Sequence, residues 1–396
     1  MKSALLAAVA VGGLLLAAPV SAQGVKIGIL NDQSGVYADY GGKWSVEAAK
    51  MAVEDFGGEV LGHKIEVISA DHQNKPDLAS AIARRWYEVE GVDMITELTT
   101  SSVALAIHDL SKQMKKIDIV VGAATSRLTG DACQPYGFHW AYDTHALAVG
   151  TGGALVQAGG DTWFFMTADY AFGYALEKDT GDLVKEKGGK VVGSVRIPLN
   201  SSDFSSFLLQ AQASKAQILG LANAGGDFVN AVKAAREFGI TKTMKMAGLL
   251  VFLNDVHSLG LPTAQGLLMT DSWYWDQNDQ TRKFAQRFFD KTKRMPSSLQ
   301  AADYSATTAY LNAVKAAGTD DADKVMAKLR ETPLNDFYAK GTIRKDGRYV
   351  HDMYLLQVKA PNESKGEWDL AKVLATVPGD QAFQTPADSK CPAMKN

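Results

Sequence analysis

Charge is sparse in this 396-residue chain: 21% of residues are Asp, Glu, Lys or Arg, and 41 basic against 44 acidic side chains leave a formal charge of −3. No Lys/Arg block exceeds a pair, which excludes DNA or RNA as the main partner, because phosphate binding needs a basic face. Two cysteines are too few for a disulfide-framework miniprotein, and 46% hydrophobic residues are too many for a disordered tail. Beyond the N-terminus no apolar stretch approaches the length of a membrane span. Catalytic signatures are missing too. GxSxG, GxxxxGK[ST] and HExxH do not occur, and Gly150-Thr151-Gly152-Gly153 falls short of GxGxxG because Leu155 stands where the last glycine is required. The seven histidines are scattered, with His139 and His145 lacking a carboxylate or cysteine at ligand spacing, so neither a metal nor a cofactor is expected. These absences turn the reading from catalysis toward binding.

The first 22 residues, MKSALLAAVAVGGLLLAAPVSA, have one positive residue, an apolar run over 4–18 and the small-x-small ending Val20-Ser21-Ala22. They read as a secretory signal cleaved after Ala22. A membrane anchor needs about 20 apolar residues, so no stable membrane insertion is expected, and the mature chain should be free in an oxidising space such as a bacterial periplasm. Cys133 and Cys391 suit that compartment. An even count favours one bridge, clasping the C-terminal tail to the loop at 130–135, over two separate thiols.

A chain this long should divide into about two domains. From Val25, short β-branched runs alternate with stretches of helical spacing. Strands are expected at 25–30, 65–68, 94–96 and 117–121, with helices at 44–56, 78–89 and 103–114 between them. After 142–144 the alternation restarts, with helices at 146–157, 174–187, 204–213 and 228–238 and strands at 163–166, 191–197, 218–221 and 244–250. Helices at 281–293, 301–317 and 322–329, a hairpin about Asp346-Gly347 and a strand at 353–358 would complete both lobes. The fold class is α/β: two lobes, each a mainly parallel sheet flanked by helices. With no long Gly/Ser linker, several short crossings should make a hinge.

In such sheets ligands settle where strand ends lead into helix N-termini. Thr99-Thr100-Ser101-Ser102 opens a helix with more hydroxyls than one cap needs. Gly122-Ala123-Ala124-Thr125-Ser126 offers small side chains that let a ligand reach the backbone. Tyr37, Tyr40 and Trp44 after the first strand, with Tyr170 and Phe172 in the second lobe, could close over an apolar body. Trp273-Tyr274-Trp275 is read as packing near a crossing.

Together with the leader, Ser34-Gly35, Tyr40-Gly41, Asp71, Thr99–Ser102, Ala123-Ala124-Thr125 and Phe172-Gly173 make the mature chain resemble a periplasmic substrate-binding protein of the branched-chain amino acid (Leu/Ile/Val) ABC-transporter family. The resemblance implies a type I fold of two lobes and three crossovers, near 142–144, 270–273 and 343–350. Lobe 1 would hold 23–142 and 273–343, lobe 2 would hold 143–272 and 344–375, and 376–396 would be a tail. It also implies a monomer that closes on one small ligand and delivers it to membrane permease subunits. The ligand's carboxylate would meet Thr100 or Ser101, Ala123, Ala124 and Thr125, with Tyr40 beside it, and Tyr170 would stand in the second lobe. The family's acidic residue for an ammonium falls in Gly248-Leu249-Leu250-Val251, where no carboxylate stands. Its cage aromatic falls near Asn223-Ala224, and a neighbouring tyrosine becomes Phe172. A buried ammonium without an acceptor costs several kcal/mol. Leu249 and Leu250 instead suit a hydrophobic, aromatic carboxylate of benzoate, hydroxybenzoate or phenylpropanoid type. A branched-chain or other hydrophobic amino acid is the alternative ligand if Asp169 or Asp227 enters the cleft. A ligand-sensing module for a signalling partner is a second alternative, differing in partner rather than pocket.

Overall fold

The computed structural model describes residues 24–395; the leader expected at 1–22 lies outside them. Short runs rich in Val, Ile and Phe form two parallel sheets whose inner strands are buried on both faces, as expected where helices cover each side, while the edge strands Glu66–Asp71 and Lys190–Ile197 are partly exposed. The first contains Glu66–Asp71, Lys26–Asn31, Met94–Glu97, Ile117–Val120 and Gly137–His139, in that spatial order. The second contains Lys245–Gly248, Ile218–Ala222, Thr162–Ala168 and Lys190–Ile197. The fold is thus the α/β architecture expected, with parallel-sheet cores flanked by helices.

Both sheets reverse strand order at one point. In the first, the reversal lies between Lys26–Asn31 and Met94–Glu97; in the second, between Thr162–Ala168 and Ile218–Ala222. Loops diverge at such a point and leave a crevice at the carboxyl ends of the strands.

The chain passes from the first sheet to the second after Gly137–His139, a three-residue strand too short for the sequence pattern to reveal. The expected helix over 146–157 is continuous but widens at Ala148–Gly152 between Thr144–Leu147 and Gly153–Gln157. Here Gly150 has a packing role: a Cβ on it would stand 2.2 Å from Thr270 Oγ1. The later helices return to the first lobe, where Ser298–Ala317 packs along Gly42–Phe56. The hairpin at Asp346-Gly347 joins Lys340–Ile343 to Tyr349–His351. An antiparallel sheet of Leu268–Asp271, Met353–Val358 and Ala371–Val377 packs with the second-lobe core.

Segments 140–143 and 348–351 lie side by side. Arg348, fully buried, donates to the carbonyls of Trp140 (2.5 Å), Tyr142 (3.1 Å) and Tyr349 (3.0 Å). Trp273 packs edge-on to Phe284, Tyr274 donates to Ala371 O, and Trp275 donates to Trp368 O, so this aromatic run is packing. Cys133 and Cys391 are bonded, with Cα atoms 5.6 Å apart, tying the tail to the loop before Gly137–His139. No helix among the described residues is long and apolar enough to cross a membrane.

Candidate functional site

The crevices of the two sheets face each other across a nearly shut cleft that leaves about 20 Å³, room for about one water. Pockets for drug-sized ligands run from about 300 to 1,000 Å³, so the walls must part to admit a ligand of that size. From the first lobe the wall is Tyr37, Tyr40, Thr99, Thr100, Ser101, Gly122, Ala123, Ala124 and Tyr142; from the second it is Tyr170, Phe172, Ala224 and Leu250. Five of these are aromatic and none carries a formal charge.

Three helix N-termini reach this wall. Helix Ser101–Met114 follows Thr100, helix Ala171–Glu186 follows Tyr170, and helix Gly225–Glu237 follows Ala224; none of the three has a side-chain cap. The first turn of a helix has free N–H groups and the positive end of the peptide dipoles; Gly225 and Gly226 spend theirs on Tyr40 and Val36 O, so the helix starts at Ser101 and Ala171 are the ones that favour an anion. At Ser101 the hydroxyl accepts from Thr125 N–H at 3.2 Å, which leaves its own proton free to donate. Thr100 donates to Asn74 Oδ1. The loop before the helix is held in the left-handed region at Glu97 (φ 76°), Leu98 (55°) and Thr100 (80°). Non-glycine residues stay there only where surrounding contacts fix them, a feature that clusters at ligand sites.

Opposite walls are linked by hydrogen bonds. The Tyr37 and Tyr170 hydroxyls are 2.6 Å apart. Tyr40 donates to Asp255 Oδ2 at 2.7 Å and accepts from Gly225 N–H, while Gly226 N–H donates to Val36 O at 3.0 Å. Burial and the Asp255 charge raise the Tyr40 hydroxyl pKa well above its ordinary value, so it remains a donor. Asp255 is pushed up to about 7, chiefly by burial, while bonds from Phe252 N–H and Tyr40 oppose the rise. Tyr142 donates to Gly122 O at 2.7 Å and His139 Nε2 lies 2.7 Å from Ala123 O, which fixes the small-residue loop.

Of the residues named from sequence, Tyr40, Thr100, Ser101, Ala123, Ala124, Tyr170, Phe172, Ala224 and Leu250 line the space. Thr125, Asn223 and Leu249 do not. Thr125 is buried behind Ser101, Asn223 lies at the end of strand Ile218–Ala222, and Leu249 is fully buried in the core. Asp169 is bonded to Tyr174 on the outside. Asp227 accepts from Asn200 N–H at 2.9 Å; its charge reaches Tyr37 and Tyr170, but its side chain is not part of the wall. Asp255 was missed because it lies beyond the apolar run 249–253, in the first turn of the short helix Leu253–Leu259. Tyr142 was read only as part of a crossing.

The family model for periplasmic binding proteins matches residues 24–367. The chain belongs to that family. It is 60% identical to a periplasmic binding protein from Burkholderia mallei, with a TM-score of 0.93 over 94% of this chain and 99% of the other. A branched-chain amino acid ABC transporter periplasmic ligand-binding protein from Burkholderia xenovorans is 42% identical, with a TM-score of 0.83 over 93% and 100%. Leu/Ile/Val-binding protein homolog 6 of Brucella abortus is 26% identical over 300 residues, 72% of this chain and 74% of that protein. At 20% identity a solute-binding protein from R. palustris in complex with benzoate shares the fold, with a TM-score of 0.83 over 93% and 99%.

Proposed function

We propose that the protein is the periplasmic solute-binding component of an ABC importer and captures a hydrophobic, aromatic carboxylate of benzoate, hydroxybenzoate or phenylpropanoid type. One observation supports this ligand above others: two helix N-termini without side-chain caps, at Ser101 and Ala171, meet around a wall of five aromatic residues with no charged side chain. The carboxylate would accept from the amides at Thr100–Ser101 and the Ser101 hydroxyl. The ring would lie among Tyr40, Tyr142, Phe172 and Leu250. An ammonium placed there would give up its water for no ion partner in the wall, at a cost of several kcal/mol.

Binding would draw the two lobes together, since contacts come from both, and would stabilise the closed form by its differential affinity. The crossings near 142–144, 270–273 and 343–350 would act as the hinge, dividing the chain as the sequence suggests. A monomer that closes on its ligand and is then recognised by the permease needs no chemistry, so no enzymatic role is proposed. Similarity to the benzoate-bound R. palustris protein and to the branched-chain amino acid relatives is compatible with either ligand class. The amino-acid alternative draws on Asp255, whose carboxylate lies behind Tyr40.

A thermal-shift panel tests the ligand. Benzoate, 4-hydroxybenzoate and 3-phenylpropanoate should raise the melting temperature, and leucine and valine should not; at a hundred times Kd the gain is about 2.7 kcal/mol. The reverse ranking would transfer the site to amino acids.

A further inference from the structure

Beneath the Thr99–Ser101 side of the cavity lies an acid that a wall built for anions does not call for. Glu97 ends the buried strand Met94–Glu97 and is fully buried. Its Oε2 accepts from Thr99 N–H at 2.7 Å and from the Thr99 hydroxyl, whereas its Oε1 has no hydrogen-bond partner. A Cβ built on the wall residue Gly122 would stand 2.9 Å from that Oε1, so one residue's thickness separates it from the ligand space.

A second acid lies behind the first. Asp303, on helix Ser298–Ala317, is fully buried with neither carboxylate oxygen hydrogen-bonded. Burial first, and then the charge of Glu97, raise its pKa. The other groups facing the pair add no compensating cation. Asp32, from the loop after Lys26–Asn31, acts on Glu97 with the same sign. His72, near Asp32, Asp71 and the Thr99 backbone, is held down to about 4 by burial and is neutral. Tyr142, which feels Glu97, has committed its proton to Gly122 O. Two ionised carboxylates here would repel each other and a third arriving in the cavity. A proton on Oε1 removes that repulsion and leaves Oε2 free to hold Thr99.

We propose that Glu97 is a proton-bearing positioning residue for the site: Oε2 fixes the Thr99 end of the binding loop, and Oε1 takes one proton from solvent as a ligand carboxylate settles above it. This rests on the carboxylate reading given above and holds equally for an acid with or without an ammonium. Burial pushes Glu97 up to about 7, so a neighbouring negative charge changes its occupancy around neutral pH.

Two experiments, one of them ligand-free, test it. Infrared difference spectra of unliganded wild type and Glu97→Gln at about pH 6 should show a neutral carboxylic acid band in the wild type that the variant lacks; no such difference overturns the proposal whatever the ligand is. Calorimetry with 3-phenylpropanoate and with leucine, at about pH 8 in buffers of different ionisation enthalpy, should show net proton uptake for the one that binds. Wild-type affinity should fall by up to about tenfold per pH unit above 7. Glu97→Gln keeps an acceptor for Thr99 and should bind without proton uptake and with a flat profile, matching the wild type at low pH. Wild-type binding without proton uptake, or a variant that follows the wild-type pH curve, overturns the proposal. Failure of both probes to bind overturns the carboxylate reading instead, and the infrared difference still decides the state of Glu97.

Discussion

Ser101 concentrates the chemistry proposed for the site. It supplies a hydroxyl, stands first in helix Ser101–Met114 and is fixed by Thr125 N–H. Ser101→Ala removes the hydroxyl but leaves the backbone amides, so carboxylate affinity should fall roughly 10- to 150-fold, the worth of about 1.5–3 kcal/mol for a hydrogen bond to a charged group. Because the buried Thr125 N–H loses its acceptor, the unliganded fold should also lose about 1–3 kcal/mol, and isothermal titration together with unliganded melting separates the two effects. Much of this wall was legible from residue type, since hydroxyls at a helix start and small residues after a strand belong where a ligand approaches backbone. What was not legible is depth. Thr125 and Leu249 have suitable chemistry, but both are fully buried outside the wall, and no local pattern records which of two adjacent residues faces the space. Asp255 illustrates the reverse: an unremarkable acid in sequence becomes a buried partner of Tyr40 only when the lobes meet.

Elements were read more securely than residues because their signal is periodic and summed over many positions. The strand at 353–358 and the alternation that builds both parallel sheets followed from β-branched runs and helical spacing. The strands Gly137–His139 and Leu268–Asp271 escaped because three or four residues carry almost no period, and their pairing is set by distant partners. At this scale the closest approach is made by the start of helix Gly225–Glu237. Gly225 has φ +61°, and a Cβ on it would lie 2.3 Å from Val36 O across the cleft. Gly225→Ala should therefore hold the helix start away from the loop at 36–40. Both the left-handed backbone and the clash penalise the substitution, and affinity should drop about tenfold or more. Small-angle scattering with saturating ligand should give a larger radius for the variant than for the wild type; equal radii would remove this contact from the closing mechanism.

Across the whole molecule, buried acids set the response to pH. Glu97, Asp255 and Asp271 are each raised to about 7, with burial the largest cause in every case. The native chain thus retains protons that the unfolded chain has lost, and their contribution to stability is lost as pH rises through the native values. His72 and His351 are held down to about 4 by burial; they oppose this slope only below about 6.5, where the unfolded histidines begin to charge. Between about pH 6.5 and 7.5 the urea midpoint should accordingly decline as pH rises; a rising midpoint would show that these carboxyls are ionised in the native state. The two-lobed architecture was legible at this scale because its repeat spans the chain, whereas the buried acids depend on interfaces that the repeat does not disclose. The central claim is that the cavity welcomes a carboxylate and an apolar body and has no ion partner for an ammonium. Calorimetric comparison of 3-phenylpropanoate with phenylalanine tests it most directly, because the two acids differ only in the α-amino group. The desamino acid should bind at least about a hundredfold more tightly, the equivalent of roughly 2.7 kcal/mol, whereas equal or tighter binding of phenylalanine would contradict the claim.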